Sequence, residues 1–117
     1  MASETDENIT RVLSVLGNET RRRILQLLAD EPRYFIQLAR DLDVSHQALL
    51  KHLDMLINMG FINSFRTRSV LAGPDRKYYR LNRSLLLTVG MAGDVFRIRF
   101  HDLEKPDEES TEPNKSN

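Results

Sequence analysis

The first half of the chain repeats its hydrophobic residues at helical spacing. The first stripe consists of Ile9, Val12, Leu13 and Leu16. It predicts a helix that ends at Gly17, because glycine readily adopts the left-handed conformation found at helix C-termini. Asn18 is a good N-cap for a second helix over residues 19–29, and Pro32 prevents that helix from continuing. Residues 33–35 are then expected to be extended.

Two further apolar stripes predict a helix-turn-helix. The buried face of a short third helix is expected to carry Ile36, Leu38, Ala39 and Leu42. Residues 43–45 form the break, and Ser45 is a favourable N-cap for a fourth helix that begins at His46. The buried stripe of this helix consists of Leu49, Leu53 and Leu56. Gly60 is expected to end it.

The hydrophobic period changes from helical to two after the fourth helix. Residues 61–68 and 79–82 alternate as strands of a half-solvated sheet do, and residues 72–75 have turn chemistry. A β-hairpin at this point of the chain is the wing of a winged helix-turn-helix.

A second alternating pattern lies nearer the C-terminus. Residues 85–89 and 96–100 alternate on either side of the glycine-containing segment 90–93, which predicts another β-hairpin. The alternative is a C-terminal helix over residues 85–91, which leucine propensity favours and the flanking glycines and β-branched residues oppose. The predicted fold class is therefore α+β, a winged helix-turn-helix with an additional C-terminal β-hairpin.

Charge is distributed unevenly although the net charge is zero. Residues 11–101 contain 15 basic and 8 acidic residues, whereas both ends are acidic. The predicted organisation is a flexible N-terminus at 1–8, a DNA-binding domain at 9–82, a hairpin for dimerisation at 83–103 and a disordered acidic tail at 104–117. The basic excess of the body allows a polyanionic partner.

Several classes of function are not expected from this composition. The chain has no cysteine, which excludes disulfides and thiolate metal sites. Two of its three histidines, His46 and His52, face different directions on one helix, so we expect no metal site, and no cofactor is indicated. No catalytic constellation is visible, and we expect no enzyme. Without a membrane span or an export signal, a cytoplasmic location is expected.

The N-terminal part of the fourth helix is expected to contact the DNA bases. In a helix-turn-helix the N-terminal part of the second helix enters the major groove, and basic wing residues follow the phosphate backbone. The residues predicted to contact DNA are Ser45, His46, Gln47, Leu50 and Lys51 on the helix and Arg66, Arg68, Arg76 and Lys77 on the wing. Among them, Gln47 suits adenine, Lys51 suits guanine or phosphate, and Leu50 suits a thymine methyl group.

Other basic and aromatic residues are expected to have structural roles. One arginine of the run at 21–23 is expected to pair with Asp41 or Asp43, and another is a weaker candidate for a phosphate contact. His52 is expected to form a hydrogen bond near the domain surface. The aromatic residues expected in the core or the sheet are Tyr34, Phe35, Phe61, Phe65 and Tyr79.

Three segments together resemble the ArsR-like winged-helix transcription regulators. Residues 16–25 read LGNETRRRIL, residues 45–56 read SHQALLKHLDML, and Gly60-Phe61-Ile62 follow. Arg76-Lys77-Tyr78-Tyr79 is similar to the end of the wing in archaeal members, including heat-shock regulators. The resemblance covers about residues 9–82 and implies a dimeric repressor, here binding a palindromic operator on double-stranded DNA.

The third helix departs from the metal-sensing members of that family. Residues 37–42 read QLARDL and lack the cysteine-containing motif of those members, which argues against metal sensing. Dimerisation is expected because a single helix-turn-helix reads too few base pairs. The alternative function is a winged-helix protein–protein interaction module that does not bind DNA.

Overall fold

A computed structural model describes residues 2–67, 76–91 and 94–103, with the side chains of residues 8–67, 76–90 and 95–103. The elements are α1 (Ala2–Leu16), α2 (Glu19–Asp30), β1 (Arg33–Tyr34), α3 (Phe35–Leu42), α4 (His46–Asn58), β2 (Ile62–Thr67), β3 (Arg76–Leu81), β4 (Arg83–Met91) and β5 (Asp94–Asp102). This order confirms the predicted α+β winged helix-turn-helix with a C-terminal β-hairpin. The alternative of a C-terminal helix is wrong.

The first helix starts earlier than the hydrophobic pattern predicts. It begins at Ala2, within the segment expected to be flexible. Its buried residues are Ile9, Val12 and Val15. The prediction that Leu13 lies on the buried face is wrong, because that side chain is 45% exposed while Val15 faces the core.

The core lies between the helices and one face of the three-stranded sheet. Its fully buried side chains include Ile24, Leu38, Leu49, Leu53, Leu56 and Ile62. The third helix begins one residue earlier than predicted, at Phe35, because the Tyr34 N–H donates a hydrogen bond to the Gln37 side chain at 3.2 Å. Phe35 packs against the core, whereas Ile36 is 49% exposed, so its predicted burial is wrong.

Local capping interactions define the predicted helix boundaries. The Asn18 side chain accepts a hydrogen bond from the Arg21 N–H, and the Ser45 hydroxyl accepts one from the Ala48 N–H at 3.1 Å. Asp43 ends α3 in the left-handed conformation with φ 55°. Both predicted N-caps are thereby confirmed, and the break between α3 and α4 is as short as expected.

The wing belongs to a three-stranded antiparallel sheet with the order β1-β3-β2. Tyr34 lies opposite Tyr78, and Tyr78 lies opposite Phe65, so one residue of each strand falls in a single row across the sheet. Ile62 lies opposite Leu81, next to the core. The predicted turn at 72–75 lies outside the described residues, as do Arg68 and the predicted disordered tail at 104–117.

The C-terminal hairpin is a separate two-stranded sheet. Cross-strand pairing brings Leu85, Leu87, Val89, Phe96, Ile98 and Phe100 onto one face. At the base of the hairpin this face covers the core, and the Phe61 and Phe100 ring centroids are 6.2 Å apart. Near the turn it is open, because Val89 is 60% and Phe96 is 43% exposed. Among the described helices, none is long and apolar enough to span a membrane.

Candidate nucleic-acid interface

The leading end of α4 presents polar side chains to solvent. Ser45, His46, Gln47, Leu50 and Lys51 are all exposed. The helix is held from behind by Leu49, Leu53 and Leu56, which are at most 1% exposed. The outward face therefore contributes little to folding, and its side chains are available for a ligand. Five of the predicted contact residues lie together on this surface.

The wing places its cationic residues on both faces of the sheet. Arg66 and Lys77 are cross-strand partners on the same face as the buried Tyr79 ring, and Arg76 lies on the opposite face. Like charges that lie directly opposite each other destabilise an antiparallel pair unless an anion neutralises them. The pairing of Arg66 with Lys77 thus favours a polyanionic partner. Arg68, the fourth predicted wing residue, lies outside the described part of the chain.

An aromatic contact connects the recognition helix to the sheet. The Phe35 ring meets the His46 ring edge-on at a centroid distance of 5.2 Å, which joins the start of α3 to the start of α4. The residue before Phe35 is Tyr34, and the Arg76 guanidinium lies 4.4 Å from the centroid of its ring. Two successive aromatic residues, Tyr34 and Phe35, therefore connect the wing to the leading end of α4.

Further aromatic contacts run across the sheet from Tyr34. Tyr34 meets Tyr78 edge-on, and Tyr78 stacks on Phe65, each pair with centroids 5.6 Å apart. The Arg80 guanidinium lies 4.5 Å from the centre of the Phe65 ring. The sequence pattern predicts sheet positions for Tyr34 and Phe65 but does not reveal their contacts with arginines. Only the strand register, which no local signal specifies, brings them together.

The arginine run has different partners from those predicted. Arg21 is 9% exposed and donates to the Val15 carbonyl at 2.6 Å and the Ser14 carbonyl at 3.1 Å. Arg22 donates to the Leu16 carbonyl. Neither arginine takes the predicted role of pairing with an acid at the turn, because both cap the C-terminal end of α1. Asp41 is instead 3.4 Å from Arg33.

His52 links α4 to this buried arginine. Its Nδ1 atom lies 3.0 Å from Nη1 of Arg21. Because a guanidinium only donates hydrogen bonds, Nδ1 must be the acceptor and the ring is neutral. Burial lowers the pKa of His52 below its usual 6.5, and the positive charges of Arg21 and Lys51 lower it further. The predicted hydrogen-bonding role of His52 is confirmed.

Charged residues of both α4 and the wing lie close to the Tyr79 ring. Burial raises the pKa of its phenol, and the carboxylate of Asp54 on α4 raises it further, while Arg66 on the wing acts in the opposite direction. Two charged residues from different elements thus approach one buried ring. Within the described ranges, no group of three or more histidine, aspartate or glutamate residues could hold a metal ion.

Comparisons with known proteins agree with this geometry. Residues 18–64 match the sequence model of the family described as bacterial regulatory protein, arsR family. The chain carries a winged helix-turn-helix that resembles the DNA-binding domains of the ArsR family. This match covers α2 to the start of β2, the part that contains the recognition helix. The ArsR family consists of regulatory proteins rather than enzymes. No curated protein sequence matches the chain significantly.

Solved structures with the same fold include three from bacteria. HlyU of Vibrio cholerae is 26% identical, with a TM-score of 0.55, over 68% of this chain and 78% of that one. NolR of Sinorhizobium fredii is 26% identical, with a TM-score of 0.58, over 68% and 74%. A homodimeric winged helix-turn-helix DNA-binding domain of Mycobacterium bovis, described as a possible ArsR-family regulator, is 25% identical, with a TM-score of 0.57, over 68% of both.

Proposed function

We propose that this chain is a sequence-specific, double-stranded DNA-binding transcription regulator that acts as a homodimeric repressor on a palindromic operator. The observation that carries the proposal is the connection of the exposed start of α4 to the cationic wing through the Phe35–His46 and Tyr34–Arg76 contacts. A reading helix beside a basic ribbon matches major-groove and backbone contacts of a duplex. The ArsR-type fold supports the same function.

The base-reading roles belong to three side chains of α4. Gln47 forms a bidentate contact with adenine, Lys51 binds guanine or a phosphate, and Leu50 contacts a thymine methyl group. All three are exposed, and Leu50 is 51% exposed, so its side chain is accessible to an apolar group of the duplex. Ser45 and His46 lie at the start of the helix and contact the backbone beside the groove.

The wing supplies electrostatic affinity in this proposal. Arg66, Arg76 and Lys77 are exposed cations that neutralise phosphates or enter the minor groove, and Arg68 is assigned the same role from its sequence position. Each phosphate contact releases counterions, so affinity falls steeply as salt rises. The likeness of residues 76–79 to archaeal heat-shock regulators supports an archaeal type of regulator. Its proposed location is the cytoplasm.

Dimerisation uses α1 and the C-terminal hairpin, residues 83–103, while residues 9–82 form the DNA-binding domain. The large apolar side chains exposed on these elements include Leu13 on α1 and Val89 and Phe96 on the open face of the hairpin. A two-stranded sheet has marginal stability unless another element covers it, and a second copy would cover this one. The homodimeric M. bovis domain supports a twofold assembly, which in turn fits a palindromic site.

Selection of duplexes from a random pool at near-physiological salt tests the function. We expect a palindromic consensus sequence and binding that weakens as salt increases. Gln47→Ala and Lys51→Ala should reduce affinity for that consensus by about 1–3 kcal/mol each without loss of the fold. Asn58→Ala, also exposed on α4 but at its other end, is the matched control. If no duplex is enriched, or if binding does not depend on salt, a protein-interaction module replaces the regulator.

A further inference from the structure

A groove lies at the edge of the wing, outside the base-reading surface. It has a volume of about 360 Å³ and is lined by Tyr34, Phe35, Ile36, Arg76 and Lys77. Among these lining residues two are cationic and none is acidic. The floor is aromatic and aliphatic, with Ile36 49% exposed, and the rim is positively charged. Such a site suits a ligand that combines an anionic group with an apolar body.

The position of the groove limits which ligand reaches it. Phe35 forms part of the floor and also touches His46, the first residue of the recognition helix. The groove is therefore adjacent to the start of α4, where the proposed duplex binds. The deoxyribose-phosphate backbone has the required chemistry, because the sugar has an apolar surface and the phosphate is an anion.

The Tyr34 ring controls where Arg76 lies. The Arg76 guanidinium lies over this ring at 4.4 Å from the centroid, and the ring is itself fixed by its edge-on contact with Tyr78. A long exposed arginine otherwise loses considerable side-chain entropy when it binds a phosphate. A cation–π contact that is already formed reduces that loss, because the guanidinium is restrained in advance.

We infer that this groove binds one backbone phosphate of the duplex and that Tyr34 is a positioning residue that holds Arg76 ready for it. The inference rests on the proposed function and deepens it. It extends the interface from α4 and the wing to the start of α3. Tyr34 lines the groove, and in this scheme its effect on phosphate binding is exerted through Arg76.

Salt-dependent binding to the selected duplex tests the inference. In fluorescence anisotropy between about 50 and 200 mM salt, Arg76→Ala should reduce the slope of log affinity against log salt by about 0.9, which is the loss of one phosphate contact. Affinity at the higher salt should fall about tenfold. Arg99→Ala removes the same charge from β5 and should leave the slope unchanged. An Arg76→Ala slope equal to that of the wild type overturns the phosphate site.

A double-substitution cycle tests the role of Tyr34. Tyr34→Ala should weaken binding and lower the slope, Tyr34→Phe should behave like the wild type, and Tyr34→Ala combined with Arg76→Ala should bind no more weakly than Arg76→Ala alone. Thermal unfolding identifies a temperature at which every variant is folded. A purely structural Tyr34 would instead give additive losses and an unchanged slope, which overturns its positioning role. If the wild-type chain binds no duplex, the proposed function fails together with the inference.

Discussion

The substitution Arg21→Met removes a guanidinium that joins three helices while keeping most of the length of the side chain. Arg21 belongs to α2, donates to the Ser14 and Val15 carbonyls at the end of α1, and meets His52 on α4. The guanidinium also lies 3.2 Å from the sulfur of Met55. No apolar side chain replaces these donors, so the substitution leaves several acceptors without partners.

The size of the effect follows from how deeply each acceptor is buried. Val15 is 6% exposed, so its carbonyl has little access to water once the 2.6 Å hydrogen bond is lost. A buried acceptor left unsatisfied costs about 1–3 kcal/mol. The Ser14 carbonyl and His52 are more accessible and recover part of their loss through water. We expect Arg21→Met to reduce the free energy of unfolding by about 2–4 kcal/mol, a large share of the total for a domain of this size.

Urea unfolding followed by circular dichroism measures this loss. Arg22→Met is the matched control, because Arg22 is exposed and donates a single hydrogen bond to the Leu16 carbonyl at 2.7 Å. Its loss should stay below about 1 kcal/mol. An NMR titration adds an independent result, since removing the Arg21 charge should raise the pKa of His52. Equal losses for the two variants would refute the role assigned to Arg21.

Three further predictions concern pH, the turn and the hairpin. The pKa of His52 is lowered on folding, so as pH falls the unfolded chain binds a proton at His52 near pH 6.5, before the folded chain does. The free energy of unfolding should therefore be highest above that pH and decline as pH falls below it. In urea titrations His52→Asn, which keeps a hydrogen-bond acceptor, should flatten this decline. Asp43→Val should cost about 1–2 kcal/mol in thermal unfolding because φ is 55°, whereas Asp43→Gly should not. In light scattering, Phe96→Glu should convert the proposed dimer to a monomer, whereas Ser84→Glu, on the other face of the hairpin, should not. If Phe96→Glu is still a dimer at micromolar concentration, the hairpin is not the interface.

Local chemistry explains why much of the fold was predictable. Asn18 and Ser45 each cap a helix within three residues of themselves, so their effect is independent of the rest of the chain. The alternation of residues 96–100 likewise identifies a strand without knowledge of its partner. The predicted helix-turn-helix and both hairpins depend on signals of this kind.

The errors occur where tertiary packing chooses between equivalent local patterns. Leu13 and Val15 both lie near the edge of an apolar stripe on α1, and only the position of the core decides that Val15 is buried. Ile36 fits a helical stripe equally well, but the chain turns into α3 at Phe35, whose ring packs against the core and His46. The sequence favours an acid at the turn, Asp41 or Asp43, as partner of the arginine run, yet the partners of Arg21 come from α1 and α4.

The same distinction applies to the candidate site. The exposed start of α4 follows from helical periodicity, so Gln47, Leu50 and Lys51 were predictable as neighbours on one face. The groove beside the wing was not, because Tyr34 and Arg76 are separated by 41 intervening residues and meet only through the pairing of Tyr34 with Tyr78. Sequence spacing alone does not specify such a register.

The recognition helix is supported at two points that do not belong to its reading face. Phe35 contacts its first residue, His46, and Arg21 contacts its middle at His52. Together with the buried leucines, these contacts fix the direction and the rotation of α4. The side chains of Gln47, Leu50 and Lys51 are then free to change without a structural penalty, and exposed substitutions of this kind usually alter stability by less than about 0.5 kcal/mol. Sequence preference can therefore change at these positions while the fold is preserved.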